Sequence, residues 1–504
     1  MLKPYPAPVD GWNARDSLAS MKPTAAIDLE NFFPGTSYVE MRGGRANHLT
    51  AMTGAGKTLA VYNKLTGTNE MFCATASGVY NASAAGAAGA SLAARTSGKH
   101  QWAMFNDGTN SYLIMVNGVD KPLYYNGTTW VAVDAASSPA LTGLTTTLII
   151  GVTVFKGRLI FIEKDTLKMW YLAAGAAGGA LSSFSFAGVA KKGGYLMAAA
   201  AWTIDAGDGP DDRAVFVTSE GEILVYVGTD PASASTWSLV GVYETGKPLG
   251  RKCLTKIGGD LLVINQNGAF TMSQAVQSSA IDYRRALSAN IEPAFVEAAR
   301  SYSATFGWTP VIFPSRSALI INVPITEDGE HEQYVMNTIT KAWCRFKEWD
   351  AEDFAVYNSE LYYVAGTTVH KAWTGTSDGG ADIVAYAKPA FTYLTDPGRK
   401  KRVQMLRQTF QATASFEARN SLDVDYSDRE ATGSELFSLS GGFVWNTGVW
   451  GTGVWGGGFV TKRIARSPAS EPGYCVSGKL QVRSADSRLR WMETAYLYDY
   501  SDGI

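Results

Sequence analysis

The feature that most constrains this chain is a short unit that keeps returning. An apolar strand is followed by a tight turn, a second strand, and often an aromatic near the close. The clearest copy reads YLIMVNGVDKPLYYNGTTWVAV, with Asn117-Gly118 and Asn126-Gly127 set between apolar runs and Trp130 near its end. Asn-Gly tolerates the positive φ that both central positions of a type I′ turn require, so it is a strong hairpin signal. Related units stand at 152–172 (VTVFKGRLIFIEKDTLKMWYL), 214–243, 253–272, 318–346 and 353–373. Hairpin units repeated in this way predict a β-propeller, with a sandwich of similar hairpins as the alternative. Their irregular spacing gives about six blades, seven being the other count.

Two segments depart from the hairpin pattern. Residues 277–303 (QSSAIDYRRALSANIEPAFVEAARSYS) carry the best helical signal: Ile291, Phe295, Val296 and Ala299 share a face, and Pro293 suits a first turn. After residue 375 the turn-rich stretch TGTSDGGAD leads into further strands, which read as a separate β-sandwich. The expected organisation is an N-terminal arm at 1–45, a propeller at 46–375 with a helical insertion at about 277–303, and a platform domain at 376–504. Composition agrees, since 12% aromatics, 52 glycines and only 18% charged residues among 504 suit short strands and tight turns.

Charge and cysteine usage narrow the function. The net charge of −2 provides no global basic field, which argues against wrapping DNA by phosphate neutralisation and suits a passage through which DNA slides. Cys73, Cys253, Cys344 and Cys475 are widely spaced, so buried free thiols are expected rather than zinc or a disulfide framework. The opening MLKPYPAPVDGWNA has three prolines and no apolar core, and no run of about 18 apolar residues occurs, so neither a secretory signal nor a membrane span is expected.

The most suggestive chemical motif is Gly54-Ala55-Gly56-Lys57-Thr58, the tail of a phosphate-binding loop. A complete loop needs a glycine where Ala51 stands, and a helix after the threonine; here Leu59-Ala60-Val61-Tyr62 reads as strand. A turn between strands is the better reading. His48, His100, His331 and His370 form no metal-ligand spacing, and Glu330-His331-Glu332 beside Gly329 reads as a solvated turn. No G-x-S-x-G elbow is present, and LYYNGTTW (123–130) has the glycine, threonine and tryptophan of a sialidase Asp box without its serine and aspartate. No catalytic, cofactor or metal residues are expected.

Two surface features remain. Arg399-Lys400-Lys401-Arg402 would contact DNA phosphate or an acidic partner, or else keep a strand edge charged against aggregation. In FVWNTGVWGTGVWGGGF (443–459), Trp445, Trp450 and Trp455 recur every five residues between glycines. That period fits neither helix nor strand face. The tryptophans suit a subunit interface, with stacking on sugars or bases as the alternative.

The stretches QYVMNTITKAWCRFKEWDAEDFAVYNSELYYVAG (333–366) and ALSANIEPAFVEAARSYSATFGWTPVIFPSRSALIINVPI (286–325), with DLENFFPGTSYVEMRGG (28–44) and the Trp-Gly repeat, resemble the tail nozzle proteins of short-tailed bacteriophages. These are also called tail tubular protein B or packaged-DNA stabilisation proteins. The resemblance implies a β-propeller joined to a β-rich platform and a homohexameric tube below the portal and its adaptor, the head-to-tail connector. It implies a structural, non-enzymatic virion protein, assembled in the host cytoplasm. Such a tube retains packaged DNA, opens as the ejection channel through which double-stranded DNA passes, and adjoins a tail fibre or spike. The alternative is a propeller tail component that binds or cleaves host-surface glycan.

Overall fold

A computed structural model describes residues 1–65, 67–205, 210–277, 283–428, 434–437, 459–466 and 471–501. The chain is mainly β and forms a β-propeller joined to a two-sheet platform. The hairpin units become small antiparallel sheets in chain order. The first comprises Gly56–Tyr62, Glu70–Thr75 and Val79–Asn81. The second is built on Gln101–Asn106, the third on Ile149–Phe155, the fourth on Leu196–Asp205 and the fifth on Leu254–Ile257. The sixth begins with Thr309–Phe313 and the seventh with Asp353–Tyr357.

The first strands of these sheets pack in succession, each on the next, and Asp353–Tyr357 packs back on Gly56–Tyr62 to close the ring. Counted this way the ring holds seven sheets among the described residues, against six from the sequence spacing. The six repeated units supply the second to the seventh sheets, and the additional one is the first, at 56–81, which carries no Asn-Gly turn. The seventh sheet takes its strand Arg45–Thr50 from the N-terminal side, paired with Thr368–Ala372. A first strand lies between two blades and is covered on both faces, so it reads as a continuous apolar run rather than an alternation. Gly56–Tyr62 is buried at every position. Separate apolar cores fill the gaps between neighbouring blades: Leu59, Val61 and Tyr80 meet Tyr362 and Val364 in one, while Phe161, Leu159 and Ile149 meet Ile114 and Tyr124 in another.

The helical signal is confined to Met272–Gln277 and Glu292–Tyr302, between the fifth and sixth blades. Pro293 occupies the first turn of the longer helix, and Phe295, Ala298 and Ala299 are its buried residues. Val296, expected on that face, is only half-buried, because Ala298 and Ala299 bring the helix closer to the core.

Residues 1–45, expected as an arm, are woven into the platform. Leu2–Pro6 pairs with Leu489–Tyr500, and Ala25–Glu30 pairs with Ile383–Pro389. The sixth blade continues without a break into this platform: Trp343–Phe346 bonds to Gly11–Trp12 and to Ala25–Glu30, giving one ten-stranded sheet. A six-stranded sheet built around Lys401–Ala412 and Leu489–Tyr500 packs on it. At Gly478 the two sheets come so close that an added Cβ would lie 2.9 Å from Leu406 Cδ1, and the glycine N–H donates to Tyr496 Oη. Buried Arg42 pins the junction with a two-pronged bond to Asp378 (2.6 and 3.0 Å), while its Nε donates to Asn31 and Nη2 to the Lys347 carbonyl. All four cysteines are buried and unpaired, and among the described residues no helix is long and apolar enough to cross a membrane.

Candidate functional site

The segments that lead into the first strands converge at one end of the ring. They line a cavity of about 530 Å³, a size typical of small-molecule sites. Lys99 and His100 come from the approach to the second blade, Arg251 and Lys252 from the fifth, Phe306 and Trp308 from the sixth, and Glu352 from the seventh. The rim is exposed at Val119, Tyr195 and Ala304.

A charged cluster forms one wall. Lys57 Nζ lies 2.8 Å from Asp328, 3.2 Å from Glu352 and 3.3 Å from Glu327. Burial opposes its charge, but the bonds from Asp328 and Glu352 outweigh burial and raise its pKa. Lys99 pairs with Glu327 and thereby lowers the carboxyl pKa. Phe306 lies beneath both ammonium groups, 5.0 Å from Lys99 and 5.8 Å from Lys57. Lys252 pairs with Asp353 at 2.7 Å, and the same carboxylate oxygen accepts the Leu59 N–H, tying the fifth blade to the first and seventh. The GAGKT segment therefore does not cradle phosphate. Gly54, at φ +83°, makes the turn, and the lysine that would meet a phosphate is held by three carboxylates.

His100 is buried, and its desolvation lowers its pKa to about 4, so the ring is neutral at pH 7. Asn117 Nδ2 lies 3.3 Å from His100 Nε2. Arg251 differs from the lysines. No carboxylate lies within ion-pair distance of it among the described residues, and its Nη1 donates only a long 3.4 Å bond to the Asn117 carbonyl. Burial lowers its pKa, opposed more weakly by Tyr195 and Asp165. Glu352 is 2% exposed; its Oε1 accepts from the Asp328 N–H and faces Lys57, while its Oε2 has no hydrogen-bond partner.

The basic run lies elsewhere, at the start of the platform strand Lys401–Ala412. Arg399 stacks over Tyr500 at 4.0 Å and Lys400 over Tyr474 at 5.6 Å. Lys401 is buried and donates to the carbonyls of Asp396 and Tyr474, while Arg402 is exposed. Trp445, Trp450 and Trp455 lie outside the described residues. His331, expected in a solvated turn, is buried on the strand His331–Asn337 with Nε2 4.0 Å from Glu352. Among the described residues no cluster of His, Cys, Asp and Glu could hold a metal ion. Sequence reasoning missed the axial cavity, because its lining comes from segments scattered from residue 97 to residue 352. The signals were present in Lys57 and in the Phe306-Gly307-Trp308 triplet, but neither announces what faces it.

The geometry defines a β-propeller with an axial cavity lined by charged and aromatic side chains, fused through one blade to a β-platform. No family model matches the chain, and no curated protein matches it. Among solved structures it is similar to YCF48 from Cyanidioschyzon merolae, at 10% identity over 65% of this chain and 98% of that one, with a TM-score of 0.36. It is also similar to the extracellular domain of a hybrid two-component system from B. thetaiotaomicron, at 11% identity over 67% of this chain and 43% of that one, with a TM-score of 0.42. A third similarity is to BBS1N, at 11% identity over 46% of this chain and 73% of that one, with a TM-score of 0.30. Likenesses this distant say nothing of function.

Proposed function

We propose that this chain is the tail nozzle of a short-tailed bacteriophage, a non-catalytic virion protein that forms a homohexameric tube below the portal and adaptor. In this reading the tube retains packaged DNA until the host is engaged and then serves as the ejection channel. One observation carries the proposal beyond the sequence resemblance. The stretches that resemble nozzle proteins, 286–325 and 333–366, supply the longer helix, most of the sixth blade and the first hairpin of the seventh. The sixth blade is also the one that shares its sheet with the platform. A subunit that must hold a fixed angle in a closed ring is served by a continuous hydrogen-bonded sheet between its two parts, since a flexible linker would let the ring geometry drift. The mechanism that follows is steric: loops converge on the ring axis and withdraw when subunits rearrange.

Native mass spectrometry of the chain mixed with the adaptor from the same virion tests this. A six-copy assembly supports the proposal, and a trimer that ignores the adaptor contradicts it. A second reading, a tail component directed at host glycan, is favoured by the polar and aromatic lining of the axial cavity. It predicts the trimer, placed at the tail periphery.

A further inference from the structure

The axial cavity holds two polar groups that the fold leaves unanswered, and they are of opposite kind. Arg251 is a half-buried guanidinium without a carboxylate partner among the described residues, and five N–H donors in a planar fork suit a bidentate anion. Glu352 is a buried carboxylate whose Oε2 accepts nothing, although an unpaired buried acceptor is costly. The lysines on the wall are already matched, Lys57 and Lys99 by Glu327, Asp328 and Glu352, and Lys252 by Asp353, while Asp165 lines the cavity beyond ion-pair distance of Arg251 and acts on it only at long range. Phe306 and Tyr195 add aromatic rings to the lining, and Tyr195 stands at the exposed rim.

We infer that the cavity binds a sugar acid, a polyhydroxylated ring bearing one carboxylate. The ligand carboxylate would take the Arg251 fork, a ring hydroxyl would donate to Glu352 Oε2, and the apolar face of the sugar would rest on an aromatic ring. A simple anion would satisfy Arg251 and be repelled by Glu352. A neutral sugar would satisfy Glu352 and leave Arg251 unpaired. Only a ligand with both features answers both groups. The inference is of binding alone: Glu327 and Glu352 on the wall are engaged with lysines, and among the lining residues Asp165 has no second free carboxylate beside it. The inference does not depend on the assembly to which the chain belongs.

The test is ligand-observed NMR titration of the full chain with D-glucuronate, D-glucose and inorganic phosphate, followed by isothermal titration calorimetry. Glucuronate is expected to bind at least roughly tenfold more tightly than either glucose or phosphate. Arg251→Gln is expected to abolish that preference by weakening glucuronate about tenfold, while Arg251→Lys retains part of it. Glu352→Gln is expected to narrow the preference for glucuronate over phosphate, because removing the carboxylate lifts the repulsion that phosphate meets. Lys156→Ala, on an exposed turn, serves as the control. The comparison of the three ligands on the unaltered chain needs no variant, so a misfolded mutant does not leave the matter open. No saturation by glucuronate, galacturonate or N-acetylneuraminate up to about 50 mM would overturn the inference. Phosphate bound as tightly as glucuronate, or binding that a folded Arg251→Gln chain retains in full, would overturn it too.

Discussion

Replacing Lys57 by methionine separates a structural role from a nucleotide-binding one. Lys57 is 7% exposed and contacts three carboxylates, but these are unequal. The side chains of Glu327 and Asp328 are 42% and 50% exposed, so water takes over when the ammonium is removed, and their share of the loss is small. Glu352 is buried, and without Lys57 its charge keeps the Asp328 N–H and the more distant His331 ring, with Nε2 4.0 Å away. Leaving a buried charge uncompensated costs about 3–5 kcal/mol, and the partial solvation of this site places Lys57→Met near the lower end, about 3 kcal/mol. Adding Glu352→Gln removes the stranded charge, so the double variant should recover about 1–2 kcal/mol relative to the sum of the single changes. Equilibrium urea unfolding at pH 7, followed by tryptophan fluorescence, measures all four proteins. A Lys57→Met chain within about 0.5 kcal/mol of the parent would refute the reasoning, as would a double variant no better than additive. Neither parent nor variant should bind ATP in the same buffer.

Three further outcomes follow from the same structure. His100 has its pKa lowered to about 4, so folding favours its neutral form; that stability is complete above pH 6.5 and is lost as pH falls toward 4. Replacing His100 by asparagine should flatten the stability profile across that window, by about 3 kcal/mol if the full shift is realised, as read by denaturant midpoints at pH 7, 5.5 and 4.5. Gly44→Ala would place a Cβ 1.9 Å from the Ser377 carbonyl oxygen, a clash with backbone that a rotamer change cannot relieve. It should cost about 2–3 kcal/mol in the same unfolding assay. Arg42→Met strands the buried Asp378 at the junction, and hydrogen exchange should accelerate at residues 42–46 and 374–379 while the third and fourth blades stay unchanged.

The propeller was legible because its information is local. An Asn-Gly turn between apolar runs makes a hairpin wherever it stands, and the units at 112–133 and 152–172 became blades as read. The closure was not legible, since Arg45–Thr50 pairs with Thr368–Ala372 across more than three hundred residues and nothing in either segment marks the other. The same holds for residues 1–45, whose short strands look like an arm until Leu489–Tyr500 and Ile383–Pro389 are beside them. Lys57 shows the limit at the level of a site. Its neighbours in sequence suggest a phosphate loop, while Asp328 and Glu352, brought in by the sixth and seventh blades, give it a different task. Arg251 and Glu352 carry no motif, and their significance lies only in what does not face them.

The central claim is that this chain encloses the DNA exit of a short-tailed phage. Focused cryo-electron microscopy of purified virion tails, with an epitope tag on this chain decorated by an antibody fragment, tests it most directly. The account predicts six fragments around the tail axis, immediately below the portal and adaptor, with propeller-shaped density in each subunit. Three fragments, or fragments placed at the tail periphery away from the axis, would contradict it.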